Sequence, residues 1–158
     1  MNNLDMRGTN FCGSSSLLTA TGAETVHDTT VLLTFAIGGK AYQKSATNAD
    51  QTTPTTDAVT GAAITMTASQ MKVAVWCYNS SGTVKVVASA ASDWDGTTAT
   101  PMPTFPDVPA TLCPFAYQIL KTSSTAGTIT FGTSNWNATG FTQAIQNVLV
   151  LPAAPQTS

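Results

Sequence analysis

Residues 71–90 read MKVAVWCYNSSGTVKVVASA, and this stretch decides the fold. In Met71–Tyr78, Val73, Val75 and Cys77 share one face, opposite Lys72, Ala74, Trp76 and Tyr78. A period of two over eight residues marks a strand, and Thr83–Ala90 repeats it beyond Asn79-Ser80-Ser81-Gly82. Asn and Gly supply turn conformations that bulkier residues resist, so the two runs are predicted to form a hairpin.

Upstream, Thr30–Ile37 (TVLLTFAI) is a continuous apolar run that suits a buried strand. Gly38-Gly39 separates it from Lys40–Lys44 (KAYQK), where Ala41 and Gln43 oppose Lys40, Tyr42 and Lys44. Two glycines between strand-like runs predict a second, two-residue hairpin. Residues 45–61 read as a polar loop, and Ala62–Ala68 as a strand with Ile64 and Met66 on one face.

Downstream, residues 92–114 (SDWDGTTATPMPTFPDVPATLCP) carry Pro101, Pro103, Pro106, Pro109 and Pro114, which forbid a helix and exclude a central strand. A loop stiffened in this way presents Trp94, Met102, Phe105 and Val108 at little ordering cost, so these are candidate contact residues. Phe115–Lys121, Thr128–Phe131 and Phe141–Leu151 complete the strands; the ending Val148–Pro152 favours strand over helix for residues 143–150.

Residues 1–28 are rich in Gly, Ser and Thr, with Leu4, Met6, Phe11, Leu17 and Leu18 isolated among them. This is the pattern of an extended arm that orders against a neighbour, and it adds those five side chains to the contact candidates. The expected fold is all-β and single-domain, a β-sandwich or jelly-roll-like barrel of about seven to eight strands. It comprises the arm 1–28, the β domain 29–151 with the Pro-rich loop 92–114, and a frayed tail 152–158.

Composition fits this reading. Only 9% of the 158 residues are charged, against roughly 25% in an ordinary soluble protein. Thr fills roughly a fifth of the chain, favouring strands while keeping exposed faces wettable. The net charge is −2. Arg7, Lys40, Lys44, Lys72, Lys85 and Lys121 are scattered, so no cluster could neutralise a run of phosphates and nucleic-acid binding is disfavoured. The N-terminal residues lack a basic stretch leading into an apolar one, and no run suits a membrane span; the chain is expected to form in a cytoplasm.

Catalytic and metal chemistry find little purchase. His27, the sole histidine, has Asp28 beside it, but no G-x-S-x-G elbow exists and the residue is expected to be solvated or at an interface. Asp93-Trp94-Asp95-Gly96 has the spacing of a fragment of a calcium loop, and an Asp-Gly turn explains the same letters. Glu24 is the only glutamate, and no pair of carboxylates sits in an apolar setting. Cys12, Cys77 and Cys113 lack metal-ligand spacing and read as buried free thiols, with a Cys77–Cys113 disulfide left open. No cofactor and no catalytic residue is expected. Trp76 and Trp136 read as core residues.

Several short pieces resemble one family. Pro114 precedes an apolar strand, Phe131-Gly132-Thr133 forms a turn, and Gly140-Phe141-Thr142 opens a last strand that ends at Leu151-Pro152. Nearer the start, FAIGGKAYQKSA (residues 35–46) follows an F-x-I-x-G-K-x-Y hairpin pattern. In this order the pieces resemble the capsid decoration, or cement, proteins of tailed bacteriophages. The chain departs from that text in its long arm and in Thr122–Gly127 (TSSTAG), where a shorter turn is usual. The resemblance implies a non-enzymatic virion protein on the outer capsid surface. Its partners would be the major capsid protein and copies of itself, as a homodimer or homotrimer. A receptor-binding fibre or spike domain that recognises host glycan is the alternative.

Overall fold

The computed structural model describes residues 10–13, 18–29, 33–44 and 48–155. These residues contain no helix. They form strands β1 (Phe11–Cys12), β2 (Leu18–Thr19), β3 (Val26–Thr29), β4 (Leu33–Ile37), β5 (Lys40–Lys44), β6 (Asn48–Thr52) and β7 (Thr65–Met66), followed by β8 (Gln70–Tyr78), β9 (Val84–Ala88), β10 (Ser92–Trp94), β11 (Ala99–Thr100), β12 (Cys113–Thr122), β13 (Ile129–Thr130) and β14 (Phe141–Asn147). The fold is all-β. Its sheets run β1-β4-β5, β2-β3-β6, β13-β7 and a six-stranded β11-β10-β8-β12-β14, with β9 paired to β8 as well; none closes on itself.

Strands β8 and β12 are the centre, and both are apolar on two faces. On β8, Ala74, Trp76 and Tyr78 join one core with Cys12, Leu18, Leu33 and Phe35 from the N-terminal strands. Met71, Val73, Val75 and Cys77 join a second core on the opposite face. The alternation read from residues 71–78 is the alternation observed. Along β12 the parity changes. Cys113 and Phe115 belong to the first core, yet so do Ala116 and Leu120, while Tyr117 and Ile119 belong to the second. A β-bulge between Pro114 and Ala116 accounts for this, because Cys77 pairs with Pro114 and Trp76 with Ala116, leaving Phe115 as an extra residue. The bulge keeps Phe115 in the core, where its ring stacks on Tyr78 at 4.2 Å between centroids.

Both predicted hairpins form. Ile37 pairs with Lys40 across Gly38 and Gly39, whose φ values of 56° and 77° are the double-positive pattern of a type I′ turn. In the second, the Asn79 side-chain oxygen accepts the N–H groups of Ser81 and Thr83 at 3.0 and 2.9 Å, and Tyr78 pairs with Val84. Ile64 and Met66 are both buried in the first core.

Other boundaries moved, each where a pairing partner or a backbone bond decides it. Strand β6 lies inside residues read as a polar loop; it exists because β3 offers it a partner, with Val26 opposite Thr52 and His27 opposite Gln51. Within the Pro-rich segment, β10 and β11 pair ahead of its first proline. The last strand stops at Asn147, short of Leu151. Val148 donates its N–H to the bulge residue Phe115 at 2.9 Å, and the Leu149 carbonyl turns to accept the Cys12 N–H at 3.0 Å. Residues 30–32 of the predicted strand Thr30–Ile37 lie outside the described residues.

Residues 10–13 and 18–28, part of the stretch read as an arm, lie against the body of their own chain. Cys12, Leu18 and Ala20 are buried. The N–H groups of Trp136 and Asn137 donate to the carbonyls of Glu24 and Gly22, each at 3.0 Å, and the Trp136 indole N–H donates to Val26 at 2.5 Å.

Two local features hold loops to this frame. Asp57 is buried, and its Oδ1 accepts the N–H groups of Val59 (3.0 Å) and Thr60 (2.7 Å) and the Thr60 hydroxyl (2.9 Å), while Oδ2 accepts the Ala88 N–H at 2.7 Å. Burial alone would raise its pKa; the bonds from Ala88, Thr60 and Val59 outweigh it and hold the carboxyl below the usual carboxylate range. Gly140 has φ +75°, and a Cβ there would meet the Ser123 Oγ at 2.5 Å and the Ala126 Cα at 3.0 Å. That corner admits only glycine.

Two substitutions test these anchors. Asp57→Ala strands buried donors and is expected to lower the unfolding free energy by about 3 kcal/mol. Gly140→Ala combines a strained φ with overpacking and is expected to cost about 3 kcal/mol as well. Urea unfolding of each variant measures both; a midpoint equal to the parent's would refute the assignment.

Candidate contact surface

Three distant segments meet at one junction. The Asn10 amide Nδ2 donates to the carbonyls of Ala110 (2.7 Å) and Leu112 (2.6 Å), and its Oδ1 accepts the Gly38 N–H at 3.0 Å. Two residues on, the Cys12 N–H is bonded to the Leu149 carbonyl. The start of β1, the end of the Pro-rich loop and the chain beyond β14 are therefore tied together. Three large apolar side chains are left open here: Phe11 is 44% exposed, Leu149 49% and Val150 54%. Isolated exposed apolar residues are ordinary, but three on adjoined backbones are a candidate contact feature.

The sequence candidates divide. Leu4, Met6 and Leu17 lie outside the described residues. Phe11 and Met102 are exposed. Leu18 is buried in the first core opposite Thr29, because β2 pairs with β3, so it is a core residue. Phe105 and Val108 are half-buried and pack against the second core. The Phe105 ring meets Tyr117 edge-on at 5.0 Å and 82°. Phe105 and Val108 turn inward because the outer face of β8 and β12 needs cover. Leu149 and Val150 were hidden in the sequence by the strand-like run Val148–Leu151.

Trp94 is half-buried, with the Lys121 ammonium 4.6 Å from its ring centroid. The pair lines an open groove of about 560 Å³ that also includes Ser69, Ser123, Phe141 and Thr142. Beside it, Asp95 is occupied as a turn former: its Oδ1 accepts the N–H groups of Thr98 (2.6 Å) and Thr97 (2.8 Å) and the Thr97 hydroxyl (2.8 Å). The Asp-Gly letters thus serve the β10–β11 hairpin. Among the described residues, no three His, Cys, Asp or Glu side chains are placed to hold a metal ion, and no helix is long and apolar enough to cross a membrane.

His27 was expected to be solvated or at an interface, and it is 2% exposed. Its ring lies 4.9 Å from the Trp76 ring, Nδ1 is 3.4 Å from the Thr53 hydroxyl, and Nε2 has no hydrogen-bond partner among the described residues. Burial, opposed by Asp28 and aided by Lys44, lowers its pKa from 6.5 to about 4. The imidazole is therefore neutral at pH 7. Nor are Cys77 and Cys113 placed to pair, since they serve cores on opposite faces of the sheet. Trp76 and Trp136 are core residues, as read.

Phe105→Ala uncovers Tyr117 and is expected to cost about 2 kcal/mol of stability, whereas Phe11→Ala and Leu149→Ala should each change it by about 0.5 kcal/mol or less. Thermal and urea unfolding of the three variants give the comparison; equal losses would refute the division into cover and contact. The histidine makes a separate prediction. With a folded pKa below the unfolded one, the native state resists a proton that the unfolded chain accepts, so stability present above pH 6.5 is lost as pH falls towards 4. The stability advantage of the parent over His27→Gln should shrink by about 3 kcal/mol between pH 7 and pH 4. A constant difference across that window would refute it.

Compared with protein-family models, with curated proteins and with solved structures, the chain matches none.

Proposed function

We propose that the chain is a virion structural protein that decorates and cements the outer surface of an icosahedral phage capsid, bridging major capsid subunits as a homodimer or homotrimer. The observation that carries this reading is the open apolar junction of Phe11, Leu149 and Val150, on a chain with only 9% charged residues. Such a surface associates by apolar burial rather than by ion pairing, with shallow salt dependence. Burying the exposed half of each side chain would contribute about 1 kcal/mol per residue, modest for one copy. An oligomer engaging several capsid subunits multiplies that contribution through effective concentration. The Phe-Gly-Thr and Gly-Phe-Thr pieces that carry the resemblance fall at positive-φ glycines, Gly132 and Gly140, in keeping with turns that a family would retain. The architecture that accompanies the proposal is a sandwich of jelly-roll type, with the six-stranded sheet facing the N-terminal sheets across the core around Trp76.

One observation favours the alternative, a host-glycan adhesion domain. The groove of Trp94, Lys121, Ser123 and Thr142 offers an aromatic ring, a cation and hydroxyls to a sugar. A virion protein with its groove facing outward could serve both ends.

Co-sedimentation separates the two. The purified chain is mixed with expanded heads of its phage stripped of it, and in parallel with intact host cells. Saturable binding to heads at a fixed copy number per capsomer, lost in Phe11→Ser/Leu149→Ser, is the expected result. Binding to cells that soluble glycan competes away, with heads ignored, would overturn the cement reading in favour of adhesion.

A further inference from the structure

Cys12 and Cys113 stand 101 positions apart in the sequence, yet their sulfurs are 3.6 Å apart. Both side chains are buried, in the same core, and both sulfurs approach the Pro114 carbonyl, at 3.3 and 3.8 Å. Cys77, the third thiol, lies on the other side of the sheet and belongs to the second core. A disulfide needs its sulfurs at about 2.05 Å. The remaining distance falls on two side chains and on β1, a two-residue strand at the sheet edge that, among the described residues, pairs Phe11 with Ala36 and Cys12 with Phe35.

We propose that Cys12 and Cys113 form an intramolecular disulfide in the folded chain when it meets a low-molecular-weight disulfide, and that the bond staples β1 to the central strand β12. When β1 frays, the Cys12 thiol loses its proton and the thiolate attacks one sulfur of the reagent. A mixed disulfide forms and the first small thiolate leaves. As β1 returns, the Cys113 thiolate attacks the Cys12 sulfur and expels the second. Two protein thiols lose two protons and two electrons; the reagent gains both and departs as two thiols. In the closed state the reaction is slow, because the hydrogen bond with Cys113 and then burial hold the Cys12 thiol well above its ordinary range. The staple fixes the very junction at which the Cys12 N–H meets the Leu149 carbonyl, so it would harden the contact surface once the chain leaves a reducing compartment. It requires no partner and stands apart from the proposed capsid role.

The test treats the folded chain with oxidised glutathione, unfolds it in alkylating reagent, and maps the peptides without reduction. A peptide joining Cys12 to Cys113, lighter by two hydrogen atoms than its parts, with Cys77 alkylated, is expected. The Cys77→Ala variant should give the same link, and Cys12→Ser should not. Closing so long a loop should also raise the melting temperature of the oxidised chain by on the order of 10 °C over the reduced one. Three alkylated cysteines, a lasting glutathione adduct, or any bond to Cys77 would overturn the proposal. A Cys12–Cys113 link without the rise in melting temperature would overturn the claim that it forms in the native arrangement.

Discussion

Strands β8 and β12 pair along nearly their whole length and present no face to water. A sheet buried on both sides must find cover on both, and the remainder of the chain is disposed by that need. On one side the cover comes from the N-terminal strands, whose Leu18, Leu33 and Phe35 close over Trp76 and Tyr78. On the other it comes from irregular chain: Phe105, Val108 and Leu112 before β12, then Val148 and Leu151 after β14. The Trp76, Gln118 and Gln143 polar groups trapped between these layers are met within them. The Trp76 indole N–H donates to the Gln118 Oε1 at 3.0 Å, the Gln118 amide donates to Gln143, and the Gln143 amide donates to the Ala20 carbonyl. That relay crosses three neighbouring strands and reaches the N-terminal segment, so side-chain bonds reinforce the backbone ladder where burial makes an unpaired amide costly.

Much of this frame was legible in the sequence because it rests on period-two alternation and on turn chemistry. Val73, Val75 and Cys77 against Ala74, Trp76 and Tyr78 is a pattern that single residues carry, as are Gly38-Gly39 and Asn79–Gly82. What was not legible depends on partners. Residues 48–52 are polar apart from Ala49 and become a strand only because β3 lies beside them. His27 looked solvated in its polar surroundings; the Trp76 ring and the Thr53 hydroxyl that enclose it come from other parts of the chain. Of the contact candidates, Phe11 and Met102 are open while Leu18 is buried, and nothing in one-dimensional spacing separates them. Phe105 and Val108 were legible as ordered apolar residues on a stiff loop, but not as facing inward. Leu149 and Val150 were masked because Val148–Leu151 has the composition of a strand, and only the diversion of Leu149 towards β1 exposes them.

The few charges act at short range. Lys44 donates to the Gly82 carbonyl at 3.1 Å, Lys72 to the Thr65 carbonyl at 2.8 Å, and Lys121 lies over Trp94. Each of these three cations ties one loop or strand to another. Asp57 and Asp95 are likewise consumed by backbone donors. Around these groups electrostatics is a matter of local geometry, while Lys40, Lys85, Asp93 and Asp107 stand exposed as scattered single charges.

The bond between the Cys12 N–H and the Leu149 carbonyl also fixes an order of events during synthesis. A ribosome releases the first strand long before its last partner, so β1 cannot settle until nearly the whole domain has emerged. The central strand β8 waits as well, since β12 begins 35 positions after β8 ends. Contacts of such long sequence separation make folding late and cooperative rather than progressive. The apolar junction at Phe11 is consequently absent from a nascent chain and exists only on a finished domain, so binding through it would be open only to completed copies.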